Sequence, residues 1–147
     1  MADKTNPHKR RAFIEKCRAA GVDRGNLLAV SLEECFDGND DPGSLCCNIT
    51  DHPGMPALYG ALDAIRRRDD VQDVLVVVRE IIDENTWPFS SDVYVITTLG
   101  LEDAADMVHA HLPEEAWPDS IDQPSGPAPV GLPMPERSAH VFDLWWD

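Results

Sequence analysis

Two apolar runs separated by a polar loop dominate the pattern of this 147-residue chain. The first run, in residues 73–82, reads DVLVVVREII, and the second, in residues 92–98, reads DVYVITT. Such a density of β-branched and aromatic residues is typical of strands, and the polar residues 83–91 would form the connecting loop. The pattern therefore predicts a β-hairpin over residues 73–98.

Helical periodicity flanks this hairpin. Apolar residues recur at intervals of three and four in residues 55–68 and again in 101–112. Short apolar segments at 44–49 and 139–147 add two candidate strands. The order is that of a βαββαβ split-βαβ unit, so we expect an α+β, ferredoxin-like domain. Its four-stranded antiparallel sheet would have segments 44–49 and 92–98 at its centre and both helices on one face.

The chain before residue 26 predicts a basic N-terminal helical extension, residues 1–25. Asn6 is a good N-cap, Pro7 suits the first helical position and Gly21 suits a left-handed stop. Further along, Ser31 and Glu34 match a capping box, which predicts a second, short helical turn. Residues 113–138 contain seven of the twelve prolines and no hydrophobic period, so we expect a long proline-rich loop there, within a single domain of residues 1–147.

Both faces of the predicted hairpin are apolar. Val74 and Val76 point to one side of the first strand, whereas Leu75 and Val77 point to the other. Two helices cover one face, and soluble monomers seldom expose an apolar sheet face. We expect intramolecular cover of the second face, by the N-terminal helix or by the proline-rich loop with its Trp117. Homodimerisation through the sheet is the alternative, and a bound ligand is a further candidate.

The charge distribution changes the range of plausible partners. The chain has 12 Lys and Arg against 27 Asp and Glu, a formal net charge of −15, and no Lys or Arg lies between Glu80 and Glu136. An acidic surface repels nucleic acid and anionic membranes and favours a basic protein partner, although solubility alone is a common reason for such a surface. The basic N-terminal helix would suit an acidic partner, but the rest of the chain would repel a polyanion.

The sequence predicts a soluble, cytoplasmic protein. No apolar run approaches the length of a membrane span, and no apolar segment follows the charged N-terminus as it would in a signal peptide. The four cysteines lack C-x-x-C spacing, so we expect reduced thiols and no disulfide framework.

One loop has the composition of a cation site. Asp37, Asn39 and Asp41 alternate as oxygen ligands do in a calcium loop. The EF-hand pattern then requires Gly and Glu where this chain has Pro42 and Asn48. Since Asx residues also form turns without a metal, these three residues are weak metal candidates and we assign no cofactor.

Catalytic motifs are missing from the sequence. There is no P-loop, G-x-G-x-x-G, H-E-x-x-H or G-x-S-x-G pattern. Cys35 or Cys46 could be paired with His52 as nucleophile and base, but a chain with four cysteines and five histidines offers such pairs by chance. We therefore assign no catalytic residue.

Four segments resemble a family of small acidic bacterial proteins of unknown function. They are SLEECFDGNDDPGS, HPGMPALYGALDAIRRRDDVQDVLV, WPFSSDVYVITT and VFDLWWD, which together extend over most of residues 31–147. The basic N-terminal segment lies outside this resemblance. The resemblance implies a bacterial, cytoplasmic, single-domain protein and supplies no catalytic residue.

These observations favour a non-catalytic protein-interaction module, for example of the immunity-protein kind, that acts as a monomer or homodimer and binds a basic partner. Trp87, Phe89 and Trp145 are the candidate contact residues, because aromatic side chains anchor interfaces as well as cores. The alternative is a small-molecule or metal-ion sensor that uses the second sheet face or the loop of residues 37–41.

Overall fold

A computed structural model describes residues 6–46, 49 and 51–146. Its helices and strands follow one another in this order: α1 (Pro7–Ala19), β1 (Leu28–Ser31), α2 (Leu32–Phe36), α3 (Met55–Arg66), β2 (Val71–Glu80), β3 (Phe89–Thr97), α4 (Leu101–His111), β4 (Ser120–Asp122) and β5 (His140–Trp145). Short 3₁₀ turns lie at Val22–Arg24, Pro42–Ser44 and Glu114–Ala116. The fold is therefore α+β, as predicted.

The predicted N-terminal helix is confirmed, and local signals explain both of its ends. The Asn6 side chain accepts hydrogen bonds from the backbone N–H groups of His8 and Lys9, at 3.0 and 3.1 Å. Gly21 adopts φ +87°, a left-handed conformation that glycine favours. The capping box of Ser31 and Glu34 is also formed and begins α2.

The sheet has five antiparallel strands in the order β1-β2-β3-β5-β4. The predicted hairpin forms its centre as β2 and β3. The predicted four-stranded sheet is wrong, because β1 and β4 are additional strands. The predicted strand at 44–49 is also wrong for the part described: Leu45 makes only an isolated bridge to Ser90, and Cys46 has φ +59°. Residues 47 and 48 lie outside the described residues.

The connectivity also differs from the split βαβ arrangement. In that arrangement, two strands joined by a helix run parallel with a third strand between them. Here α2 and α3 connect β1 to β2, which are direct antiparallel neighbours with Val30 opposite Val76. As a result β2, predicted as an edge strand, is an interior strand of the sheet.

All four helices pack on one face of the sheet and form the main core. Their buried side chains meet the alternate strand residues that point to that face. This core includes Phe13, Cys17, Leu32, Leu58, Leu62, Val74, Val76, Val78, Val93, Val95, Val108 and Leu144. Among the described residues, no helix combines the length and the apolar character needed to cross a bilayer.

The second face is covered in part by the proline-rich segment, so the prediction of intramolecular cover is confirmed for this part. Residues 123–139, which we call the strap, run from the β4 edge to the β1 edge and back. Val130 donates its N–H to the Leu27 carbonyl at 2.8 Å and accepts the Ala29 N–H at 2.9 Å. Strap residues Leu132 and Ala139 pack on a small apolar cluster that contains Ala29, Leu75 and Ile96.

Two other expected covers lie elsewhere. The N-terminal helix packs on the main core, on the opposite face. Trp117 is 41% exposed, and its indole N–H reaches the carbonyl oxygens of His109 and Leu112 at 3.2 and 3.1 Å. Trp117 therefore caps the C-terminal end of α4 and does not cover the sheet.

Candidate functional site

The polar half of the second sheet face encloses a cavity of about 710 Å³. Its walls come from the ends of β2, β3, β4 and β5 and from the beginning of the strap, and they include Arg79, Asp92, Tyr94, Asp122, Gln123, Asp143 and Trp145. We call this space the second-face cavity. The strap residues named earlier close the apolar half of the same face, so the cavity lies where the apolar cover ends.

Strand register brings three acids together in this cavity. Asp143 on β5 lies directly opposite Tyr94 on β3 and opposite Asp122 on β4. Asp92 lies two residues from Tyr94 and therefore points to the same face. Like charges on neighbouring strands destabilise a sheet. The three acids therefore destabilise the folded protein unless one of them is neutral.

A β-bulge sets the position of Asp92, the first of these acids. Val77 pairs with Asp92 whereas Val78 pairs with Ser90, so Ser91 is the extra residue. The Ser91 hydroxyl donates to Asp92 Oδ1, and Arg79 Nε donates to the Ser91 hydroxyl at 2.8 Å. The Arg79 guanidinium is 3.6 Å from Asp92 Oδ1. Asp92, only 4% exposed, is therefore held by the Ser91 hydroxyl beside the Arg79 guanidinium.

Asp143 is the neutral member. Burial, a hydrogen bond to Asp92 and the charge of Asp92 raise the pKa of Asp143 to about 8, and the charge of Asp122 acts in the same direction. Arg79 opposes this shift without cancelling it. Asp143 Oδ1 is buried, and no described group donates a hydrogen bond to it. Asp143 thus retains a proton near neutral pH and has an unused acceptor atom.

Tyr94 adds a hydroxyl that has no partner in the described part of the chain. The side chain is 3% exposed, and burial, followed by the charges of Asp143 and Asp92, raises its pKa to about 12. Its hydroxyl is consequently protonated at physiological pH. A protonated acid, a carboxylate and a phenol in one cavity can bind a polar or cationic group and can exchange a proton with it.

A second candidate surface is formed by acids that have no counter-charge among the described residues. In this part of the chain eight basic side chains form ion pairs, and every acidic partner lies between Glu15 and Asp92. The basic residues are Lys9, Lys16, Arg18, Arg24, Arg66, Arg67, Arg68 and Arg79. Exposed acids of α4, the following 3₁₀ turn and β4 form no ion pair within the described residues. They are Glu102, Asp103, Asp106, Glu114, Glu115 and Asp122, which we call the acidic surface.

The comparisons with known proteins agree with the resemblance seen in the sequence. The model of the Uncharacterized protein YfbO family matches residues 8–144. The chain belongs to this family. It is 36% identical over 122 residues to "Uncharacterized protein YfbO" of Escherichia coli strain K12, an alignment that covers 80% of this chain and 81% of that protein. No solved structure matches the chain.

The YfbO family match extends further towards the N-terminus than the resemblance did. It begins at residue 8, so it includes the basic helix α1, which the resemblance had left outside. This agrees with the packing, since Phe13, Ile14 and Cys17 of α1 are buried. The basic helix is thus part of the YfbO family fold.

The three predicted contact residues of this YfbO-family chain occupy different environments. Trp87 is 2% exposed and its ring lies 5.8 Å from that of Phe13, so it is a core residue and is not accessible to a partner in this structure. Phe89 is half-buried at the start of β3, opposite Glu80. Trp145 is 39% exposed at the rim of the second-face cavity.

The predicted metal loop is occupied by its own hydrogen bonds. Asp37 pairs with Lys9 at 2.8 Å, and Asp41 Oδ1 accepts the Gly43 N–H at 2.9 Å. The buried Asn39 side chain donates to the carbonyl oxygen of Cys35 at 3.0 Å. These bonds explain the loop as a turn. Within the described residues, no group of three His, Cys, Asp or Glu side chains is placed to hold a metal.

The cysteine and histidine pairs do not form a nucleophile and base. Burial raises the pKa of Cys35 to about 12, which disfavours a thiolate. His52 Nδ1 accepts the Gly54 N–H at 2.9 Å, and His52 Nε2 lies 3.1 Å from the Leu45 carbonyl oxygen. Both imidazole nitrogens are therefore engaged with the backbone.

Sequence reasoning did not find Asp92 and Asp143. With 27 acids in the chain, no pair could be singled out by spacing. A signal was nevertheless present, because aspartate is depleted in strands, yet Asp92 begins and Asp143 interrupts a β-branched or aromatic run. An acid within a strand whose two faces are both buried is the feature that would have identified them.

Proposed function

We propose that this protein is a non-catalytic interaction module that binds a basic protein through the acidic surface. The observation that supports this function is a set of exposed acids that form no ion pair in the described part of the chain, beside two exposed tryptophans. Trp117 precedes β4 by three residues, and Trp145 pairs with Ser120, the first residue of β4. The two indole rings are 41% and 39% exposed.

The two features have complementary roles in binding. Exposed tryptophans supply large apolar contacts, and such residues are enriched among those that dominate interface energetics. Unpaired acids around them attract a basic partner, raise its association rate and disfavour acidic competitors. Within the described residues, the eight basic side chains that form ion pairs have their acidic partners before residue 93, so these ion pairs do not neutralise this surface.

The test uses the full chain and two charge-reversal variants. Proteins captured from the native host are identified, and binding of the captured protein is measured by biolayer interferometry at several salt concentrations. We expect a basic protein whose affinity falls as salt rises. The variant E114K/E115K should weaken binding about tenfold or more, whereas W117A should increase the dissociation rate.

The control is D23K, which also replaces an acid by lysine. Its position lies between α1 and β1, away from α4 and β4 in the chain. Asp23 is exposed in the 3₁₀ turn that follows α1. An affinity that is indifferent to salt, or one that falls equally in D23K and E114K/E115K, would contradict the proposal. Capture of no partner by the wild-type chain would count against it as well.

A further inference from the structure

The second-face cavity contains polar groups that have not found partners within the protein. Asp143 Oδ1 is buried and accepts no hydrogen bond from a described group. Buried polar groups are nearly always hydrogen-bonded, because burial without a partner costs free energy. Tyr94, on the neighbouring strand, lines the cavity and is 3% exposed as a residue, and its hydroxyl has no hydrogen-bond partner among the described residues. A ligand in the cavity would supply both groups with partners.

We propose that the second-face cavity binds a small organic cation, an alkyl guanidinium or ammonium, between Asp92 and Asp143. The Tyr94 hydroxyl would be an additional hydrogen-bond partner, and the Trp145 ring would form an aromatic wall. This site goes beyond the protein-binding function proposed above, because Asp92, Tyr94 and Asp143 do not belong to the acidic surface, although Asp122 and Trp145 adjoin both.

The charges that face Asp143 favour a cation over an anion. Arg79 approaches from β2, Asp92 and Tyr94 from β3, and Asp122 from β4. The two acids outnumber the single arginine, so the site is negative even while Asp143 is protonated. Arg79 is moreover engaged with Asp92 and Ser91, and an anion would have to displace these contacts.

The size and walls of the cavity suit a small molecule. A volume of about 710 Å³ lies within the range of ordinary ligand pockets, roughly 300–1,000 Å³. Trp145 is exposed at the rim, where its ring could face a cation and contribute a cation–π contact. The beginning of the strap adds Gln123 and Ser125, which are polar and uncharged.

Binding of a cation in this site should release a proton. In the free protein Asp143 is protonated and shares its proton with Asp92, and a cation would take the place of that proton. The apparent affinity should therefore rise by up to about tenfold per pH unit below pH 8, and it should level off above this pH.

The experiment measures butylguanidinium binding by isothermal titration calorimetry between pH 6 and pH 9. This probe keeps its charge over the whole range, and butylurea is its uncharged isostere. We expect butylguanidinium to bind, butylurea to fail, and buffers of different ionisation enthalpy to report release of close to one proton below pH 8.

Three variants assign the effect to the cavity. D143N should weaken binding at pH 8 by about tenfold or more and abolish the pH dependence, since the titrating carboxyl is removed. Y94F should weaken binding and leave the pH dependence intact. D69N removes the same formal charge from the exposed turn between α3 and β2 and should bind as the wild type does.

Several results would overturn the proposal. Equal binding of butylurea would show that charge is not recognised, and a pH-independent affinity of the wild type would show that Asp143 does not titrate in the site. An equal loss in D69N and D143N would assign the effect to overall charge. Failure of the folded wild-type protein to bind millimolar butylguanidinium at pH 9 would remove the site.

Discussion

Replacement of Asp143 by asparagine should stabilise the protein at alkaline pH and leave its stability nearly unchanged at acidic pH. Asparagine has almost the same shape as a protonated aspartic acid, and its amide can still donate a hydrogen bond to Asp92. It differs in one respect: it never ionises. The substitution D143N therefore isolates the cost of placing a negative charge beside Asp92 and Asp122.

The size of the effect follows from the pKa. An unfolded aspartate titrates at about 3.9, and burial together with Asp92 raises the pKa of Asp143 to about 8. Between these values the folded state binds more protons, so stability is greatest at low pH and falls by up to about 1.4 kcal/mol per pH unit. From pH 5 to pH 8 the loss would be about 4 kcal/mol at most, and solvent in the cavity reduces it to about 2–4 kcal/mol.

The assay is urea unfolding of the wild type and D143N at pH 5, 7 and 8, followed by tryptophan fluorescence. The difference in the free energy of unfolding should grow by about 2–4 kcal/mol in favour of D143N between pH 5 and pH 8. This is a substantial part of the roughly 5–15 kcal/mol that stabilises an ordinary domain.

The control is D106N, which also removes one acid from a chain of net charge −15. Asp106 is exposed on α4, so relief of general repulsion should be small and should change little with pH. The reasoning is refuted if D143N and the wild type have parallel stability profiles from pH 5 to pH 8. It is refuted equally if D106N reproduces the D143N profile.

Two further predictions concern the strap and the thiols. Gly131→Ala should destabilise the protein more than Gly126→Ala in the same urea assay. Both glycines have left-handed φ values, +82° and +81°. A Cβ at position 131 would lie 3.1 Å from the backbone oxygen of Ala29, whereas a Cβ at position 126 would meet no atom within 4 Å. Burial raises the pKa values of Cys17 and Cys35 to about 12, so both thiols should resist labelling by iodoacetamide at pH 8 until urea unfolds the chain. Peptide mass mapping would detect the label. Rapid labelling of the native protein would contradict the burial of these thiols.

The parts of the fold that the sequence predicted are those specified by local signals. The N-cap at Asn6, the capping box at Ser31 and the glycine stop at Gly21 act within one or two turns, so their effects can be read from neighbouring residues. The hairpin is also nearly local, since β2 and β3 are joined by a loop of a few residues. These elements formed where expected.

The parts that the sequence did not predict depend on distant partners. Residues 44–49 and Leu28–Ser31 are both short apolar runs, and local pattern cannot decide which of them joins the sheet. The register of Leu28–Ser31 against β2 decides it, with Ala29 opposite Val77. β4 was missed for the same reason: three residues in a proline-rich segment acquire strand geometry only by pairing with β5.

The retention of Asp143 in a strand is best explained by binding and not by stability. An acid between Tyr94 and Asp122, in contact with Asp92, weakens the folded state at every pH where it ionises. Asparagine would remove that cost without a change of shape, and a hydrophobic residue would extend the apolar half of the same face. Asp143 therefore opposes folding at one position, in a cavity where the Tyr94 hydroxyl has no partner among the described residues. Such a residue is expected where a bound ligand supplies the hydrogen bonds that the protein does not.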